Sequence, residues 1–103
     1  MSEAKQEQKK ILPLEFLTIT GPLPGGRYLI RPLNVKITHD DEEVIVSEPY
    51  FHIHATGTTL ATTLAEFRRI LTEELDDLTA DEEELGPRLQ AELRYLRNLI
   101  GMV

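Results

Sequence analysis

Two histidines set two positions apart are the residues of this sequence that could most readily do chemistry. His52 and His54 fall in the alternating run Tyr50–Ala55, and on a strand their side chains would project from the same face. Two imidazole nitrogens in that arrangement can bind zinc if a third ligand is near. The possible third ligands in the preceding turn are His39, Asp40 and Asp41. The alternative is that both histidines line the wetter face of a sheet. Our prediction is that no metal or other cofactor binds, with His39, His52 and His54 as the candidate ligands if one does.

The rest of the sequence offers no arrangement typical of an enzyme. A metal-dependent nuclease site needs carboxylates that converge from strands and an adjoining helix, whereas the acids here cluster in turns and on an outer helix surface. Gly25 and Gly26 are followed by neither a lysine nor a helix start, so they do not form a phosphate-binding loop. Cysteine is absent, and Ser2 and Ser47 are the only serines, which leaves few nucleophiles. We predict a protein that is not an enzyme.

The composition favours a single acidic domain that binds protein rather than nucleic acid. The 103 residues are enough for one hydrophobic core, and the net charge is −7. A surplus of negative charge repels phosphate backbones, so we predict a basic protein partner and no direct binding of nucleic acid. No apolar run is long enough to span a bilayer, which together with the absence of cysteine predicts a cytoplasmic protein without membrane contact.

Strand-forming runs occupy the first half of the chain. They are Leu14–Thr20, residues 27–38 with a break at Pro32, Glu43–Ser47 and Tyr50–Ala55. The order of runs and turns predicts an antiparallel meander of three or four strands. Residues 1–12 are mostly polar and charged, so we predict a disordered tail there and one domain over residues 13–103.

Two amphipathic helices follow the strands. Apolar side chains recur every three or four positions after Thr59, a favourable N-cap residue, and predict a helix that ends near Leu78. A second stripe predicts a helix over Pro87–Ile100 that stops at Gly101. The stripes consist of Leu60, Leu64, Phe67, Leu71, Leu75 and Leu78 in the first helix, and of Leu89, Leu93, Leu96 and Ile100 in the second. We predict an α+β fold of the order β-β-β-β-α-α, with both helices packed on one face of the sheet.

A run of acids surrounds the end of the first helix. Between Arg69 and Arg88 there are acidic residues but no lysine or arginine. Such a run concentrates negative potential and can steer a basic partner, although the alternative is a solvated helix end without a partner. We predict partner contacts at this helix end and at the edge of the preceding hairpin. The candidate contact residues are Val44, Val46, Glu73, Asp77, Glu82 and Glu83.

A hairpin, a strand, a Gly-x-Thr turn and a long helix follow one another in the central part of the chain. The residues that form this series are Val35–Ile37, the acidic turn His39–Glu43, Val44–Val46, Glu48 with Pro49, Phe51–Ala55, and Gly57–Leu60. Over about residues 33–78 the series resembles the HicB-like antitoxin family, which has a partial ribonuclease H fold. The resemblance implies a prokaryotic module that binds and blocks a small ribonuclease toxin and has no catalytic activity of its own.

Two other hypotheses stay open beside the antitoxin. The chain could be a self-assembling structural or accessory subunit that dimerises through the terminal helix, Leu89–Ile100. It could also bind a metal or small ligand through His52 and His54. The first hypothesis requires an exposed apolar helix face, and the second requires a convergent ligand set.

Overall fold

Two antiparallel sheets and two helices make up residues 15–103, the part of the chain that the computed structural model describes. The elements in chain order are β1 (Glu15–Ile19), β2 (Pro22–Leu23), β3 (Arg27–Leu29), β4 (Leu33–His39), β5 (Val44–Glu48), β6 (Ile53–Gly57), α1 (Leu60–Ala80), α2 (Pro87–Leu99) and β7 (Ile100–Met102). Short 3-10 turns lie at Pro24–Gly26 and Glu82–Glu84. The predicted tail, residues 1–12, lies outside the described residues.

The main sheet is the predicted antiparallel meander, with its four strands in the order β1-β4-β5-β6. Its inward face follows the alternation of the sequence, because Val35 and Ile37 of β4 and Val44 and Val46 of β5 are all buried. Pro32 lies between β3 and β4, where its missing amide hydrogen interrupts no strand ladder. The predicted fold class, a four-stranded antiparallel sheet followed by two helices, is confirmed.

β6 begins later than the alternating sequence predicts. The Glu48 carboxylate accepts hydrogen bonds from the backbone amides of Tyr50 and Phe51, at 2.7 and 2.8 Å, and these bonds turn the chain. His52 then has a φ of 64°, in the left-handed region, which is incompatible with a strand. The prediction of a strand from Tyr50 is therefore wrong, and the strand occupies Ile53–Gly57.

α1 lies across β5 and β6 and forms the core with them. The Oγ1 atom of Thr59 accepts a hydrogen bond from the amide of Thr62 at 3.1 Å, which confirms the predicted N-cap. Phe67 is fully buried on the inner face of the helix. The helix approaches β6 closely at Gly57, where an added Cβ would lie 2.5 Å from Oγ1 of Thr63.

α2 packs against α1 and leads into a small second sheet that the sequence pattern did not predict. The chain continues past the helix as β7, which pairs antiparallel with β3, and β3 pairs on its other side with β2. Leu93 and Leu96 of the predicted stripe are buried, whereas Leu89 is exposed. The stripe that was predicted as a dimer seam is thus used within the fold of a single chain.

Candidate partner-binding surface

The end of α1 and the turn after it present a group of exposed carboxylates. We define the acidic corner as Asp77, Asp81, Glu83 and Glu84, all of which are exposed. The amide of Asp81 donates to the carbonyl of Asp77 at 3.3 Å, and the amide of Glu84 donates to the carbonyl of Asp81 at 2.8 Å. These bonds continue the helix into a 3-10 turn that lines a surface depression of about 540 Å³. Within residues 15–103, none of the four carboxylates forms a salt bridge.

Two arginine–carboxylate ion pairs hold the segment that carries the acidic corner, one just before it and one within it. Arg27 on β3 donates from both Nη atoms to the Asp76 carboxylate, at 3.1 and 2.6 Å. Arg97 on α2 makes the same paired contact with Glu82, at 2.9 and 2.8 Å. Hydrogen bonding to each guanidinium lowers the pKa of Asp76 and of Glu82 from its ordinary value. Glu82, predicted as a partner contact, instead forms an internal ion pair that ties the corner to α2.

Glu73, another predicted contact, is also paired within the chain. Arg69 lies between Glu66 and Glu73 on one face of α1 and donates to both carboxylates, with its Nε atom 3.0 Å from Oε1 of Glu66. Of the four acidic contacts that the sequence predicted, Asp77 and Glu83 are the ones left exposed without a salt bridge to another described residue. These two carboxylates are therefore the predicted contacts that the fold leaves free to meet a partner.

Val44 and Val46 are corrected as contact residues. Their strand, β5, lies between β4 and β6 in the main sheet, so it has no free edge. Their side chains are 6% and 0% exposed because they belong to the inward-facing set of the alternating strand. The edges of the main sheet are β1 and β6, and a partner that adds a strand would pair there.

The three histidines do not come together. His52 lies in the turn before β6, and its carbonyl oxygen is 3.1 Å from Nδ1 of His54, which can donate when that nitrogen carries the proton. His39 ends β4 opposite Val44 and is therefore displaced along the sheet from His54, which pairs with Ser47. Among residues 15–103, no three side chains of the histidine, aspartate or glutamate type are grouped as a metal would require. The metal-binding hypothesis has no geometric support.

A group of carboxyls that sequence analysis did not identify, two of them buried and one half-buried, lies between α1, α2 and β5. We define the carboxyl cluster as Glu48 on β5, Glu74 on α1 and Glu92 on α2. Glu48 is fully buried and Glu92 is 4% exposed. The oxygens of Glu48 are satisfied by the two backbone amides that turn the chain, whereas Oε2 of Glu92 has no hydrogen-bond partner among residues 15–103.

The environment of the carboxyl cluster favours the neutral forms of Glu92 and of the neighbouring Tyr95. Burial raises the pKa of Glu92 to about 8, and the hydrogen-bond contact with Glu74 and the charge of Glu74 act in the same direction. Burial also raises the pKa of the Tyr95 hydroxyl, and the nearby Glu48 charge adds to the effect.

Residue spacing gives a signal for two acids of the carboxyl cluster. Glu48 continues the inward-facing set Val44 and Val46. Glu92 lies one helical turn before the buried Leu96.

Aromatic side chains line a cleft beside the carboxyl cluster. The Tyr95 ring centroid lies 5.9 Å from that of Tyr50 and 5.2 Å from that of Phe51. The guanidinium carbon of Arg88 lies 5.5 Å from the Phe51 centroid, a cation–π distance. The cleft, of about 390 Å³, extends to the exposed ring of Phe16. These contacts hold α2 against the loop that precedes β6.

No known protein family, curated protein or solved structure significantly matches this chain. The resemblance to HicB-like antitoxins therefore stays a prediction from the residues and the order of elements given above. Neither helix of residues 15–103 combines the length and the apolar character needed to cross a bilayer.

Proposed function

We propose that this protein acts in the cytoplasm by binding a basic protein through the acidic corner, as an antitoxin does when it covers a small ribonuclease. The observation that carries the proposal is the set of four exposed carboxylates on one short segment, which is held by arginine pairs to β3 and α2. The net charge of −7 acts in the same direction, because it draws a cationic partner towards the surface from a distance.

The arginine pairs make the acidic corner ready to bind. A flexible acidic tail loses conformational entropy when a partner orders it, and that loss weakens binding. The segment from Asp77 to Glu84 is instead already helical or in a 3-10 turn, with the preceding Asp76 neutralised by Arg27 and Glu82 within the segment neutralised by Arg97. A lysine or arginine of the partner would therefore meet carboxylates that are exposed, fixed in position and not already neutralised by an arginine of residues 15–103.

The test is binding to the product of the neighbouring reading frame, co-expressed with this chain. We expect a small basic protein to co-purify, and we expect isothermal titration calorimetry to give an affinity that falls as salt rises. The variant Asp77→Asn with Glu83→Gln should weaken binding by about tenfold or more, since each lost charge contact contributes on the order of 1 kcal/mol.

The matched control removes the same number of charges at the other end of the molecule. Asp41→Asn with Glu42→Gln lies in the hairpin turn between β4 and β5, where both residues are exposed. We expect this variant to keep most of the affinity. If the two double variants weaken binding equally, or if the neighbouring product is neither basic nor bound, the proposed function is wrong.

A further inference from the structure

Glu92 faces acidic groups on two other elements of the fold. From α1 it faces the Glu74 carboxyl, and from β5 it faces Glu48. On α2 itself the charged neighbour is Arg88, one turn earlier, which lies over the Phe51 ring. Tyr95 adds a hydroxyl that faces Glu48 and has Arg31 and Tyr50 as its own neighbours.

Two facing carboxylates cannot form a hydrogen bond unless one of them carries a proton. Each ionised carboxylate accepts hydrogen bonds only, whereas a protonated carboxyl can donate one. Glu92 is 4% exposed, and its Oε2 atom has no partner among residues 15–103. The oxygens of Glu48 already accept from two backbone amides, and a carboxylate has no proton to give. Glu92 can therefore form a hydrogen bond with Glu74 only if a proton is present on one of the two carboxyls, and we place that proton on the more buried Glu92.

We propose that a proton held between Glu92 and Glu74 locks α2 onto α1, so that the docking of α2 is a pH-dependent switch. With the proton present, the Glu92 hydroxyl donates to a Glu74 oxygen across the two helices. When the proton leaves for solvent, a buried negative charge on Glu92 faces the half-buried charge of Glu74, with Arg88 as the neighbouring cation, and α2 moves away from α1 to hydrate the two carboxylates. The movement exposes Leu93 and Leu96, which are buried in the docked state.

The direction of the switch follows from the pKa of Glu92. This pKa is raised from its ordinary value of 4.5 to about 8 in the folded chain. Between pH 4.5 and about pH 8, the docked state therefore holds a proton that the undocked state has released. Docking weakens as the pH rises through this range. One proton of difference changes the ratio of docked to undocked α2 by up to about tenfold per pH unit, and the change ends near pH 8.

The experiment is carried out on the full chain by nuclear magnetic resonance. The side-chain carboxyl carbons of the glutamates are followed from pH 4 to 9.5, together with amide hydrogen exchange corrected for its intrinsic pH dependence. We expect the Glu92 carboxyl to titrate near pH 8. Amide protection in α2 should fall by up to about tenfold per pH unit below that value, while the central amides of α1 stay protected.

Two variants separate the switch from the general effect of negative charge. Glu92→Gln is neutral at every pH and its amide can donate to Glu74, so α2 protection should become independent of pH. Glu42→Gln removes an exposed charge in the turn between β4 and β5 and should leave the wild-type pH dependence in place. The proposal is overturned if the Glu92 carboxyl titrates below about pH 5.5, within the spread that carboxyls usually show in proteins. It is also overturned if protection falls equally in α1 and α2. Should Glu92→Gln fail to fold, the wild-type titration decides between these outcomes.

Discussion

Replacing Phe67 by alanine tests whether α1 is anchored on the main sheet as the structure shows. The ring is 0% exposed and lies on the helix face that covers β5 and β6. Truncating a buried phenylalanine removes its transfer free energy and leaves a cavity, which together cost about 3–5 kcal/mol. Domains of this size are stable by about 5–15 kcal/mol, so the loss is a large part of the total. The melting temperature should fall by roughly 12–40 °C, at about 4–8 °C for each kcal/mol.

Urea unfolding followed by far-UV circular dichroism measures this loss directly. The matched control is Phe16→Ala, which removes the same side chain from β1 where it is 66% exposed, and it should change the free energy of unfolding by less than about 0.5 kcal/mol. Phe67→Asp places an unpaired charge in the core and should leave the chain unfolded. A loss below about 1 kcal/mol for Phe67→Ala, or a loss equal to that of Phe16→Ala, would show that α1 does not pack on the sheet through this face.

Two further predictions concern the start of α1. Gly57→Ala should destabilise the fold by about 1–3 kcal/mol, because the new Cβ would lie 2.5 Å from Oγ1 of Thr63. The control Gly86→Ala should be nearly neutral, because its new Cβ would meet nothing within 4 Å, and equal urea midpoints for the two variants would contradict the close approach at Gly57. Thr59→Ala removes the bond accepted from the Thr62 amide and should cost about 1 kcal/mol, and an unchanged free energy of unfolding would show that the cap contributes nothing.

The parts of the fold that the sequence predicts are those fixed by neighbouring residues. The alternation of β4 and β5 identifies their buried faces, and the three- and four-residue spacing after Thr59 identifies α1 with its cap. The alternating residues before Ile53 form a turn and not a strand, because the Glu48 side chain forms hydrogen bonds with the backbone there. Glu48 accepts hydrogen bonds from the amides of Tyr50 and Phe51, and these bonds compete with strand pairing. The alternation of apolar and polar residues gives no sign of this competition.

The parts that could not be predicted depend on residues far apart in the chain. Arg97 pairs with Glu82 and Arg27 pairs with Asp76, so an acidic run without bases in its own sequence is partly neutralised from α2 and β3. The partner of β7 is likewise β3, near the other end of the described chain. The burial of Glu92 next to Glu74 follows from the way the two helices pack, and the spacing of acids within each helix does not reveal it.

The pairing of β7 with β3 also sets an order of events in folding. In the main sheet, β4, β5 and β6 are joined by short turns, and such local contacts cost little chain entropy to form. The register that joins residue 27 to residue 102 closes almost the whole described chain into one loop. The pairing of β7 with β3 should therefore be the last to form, and it should fix the far end of α2 only after β4, β5, β6 and α1 have assembled.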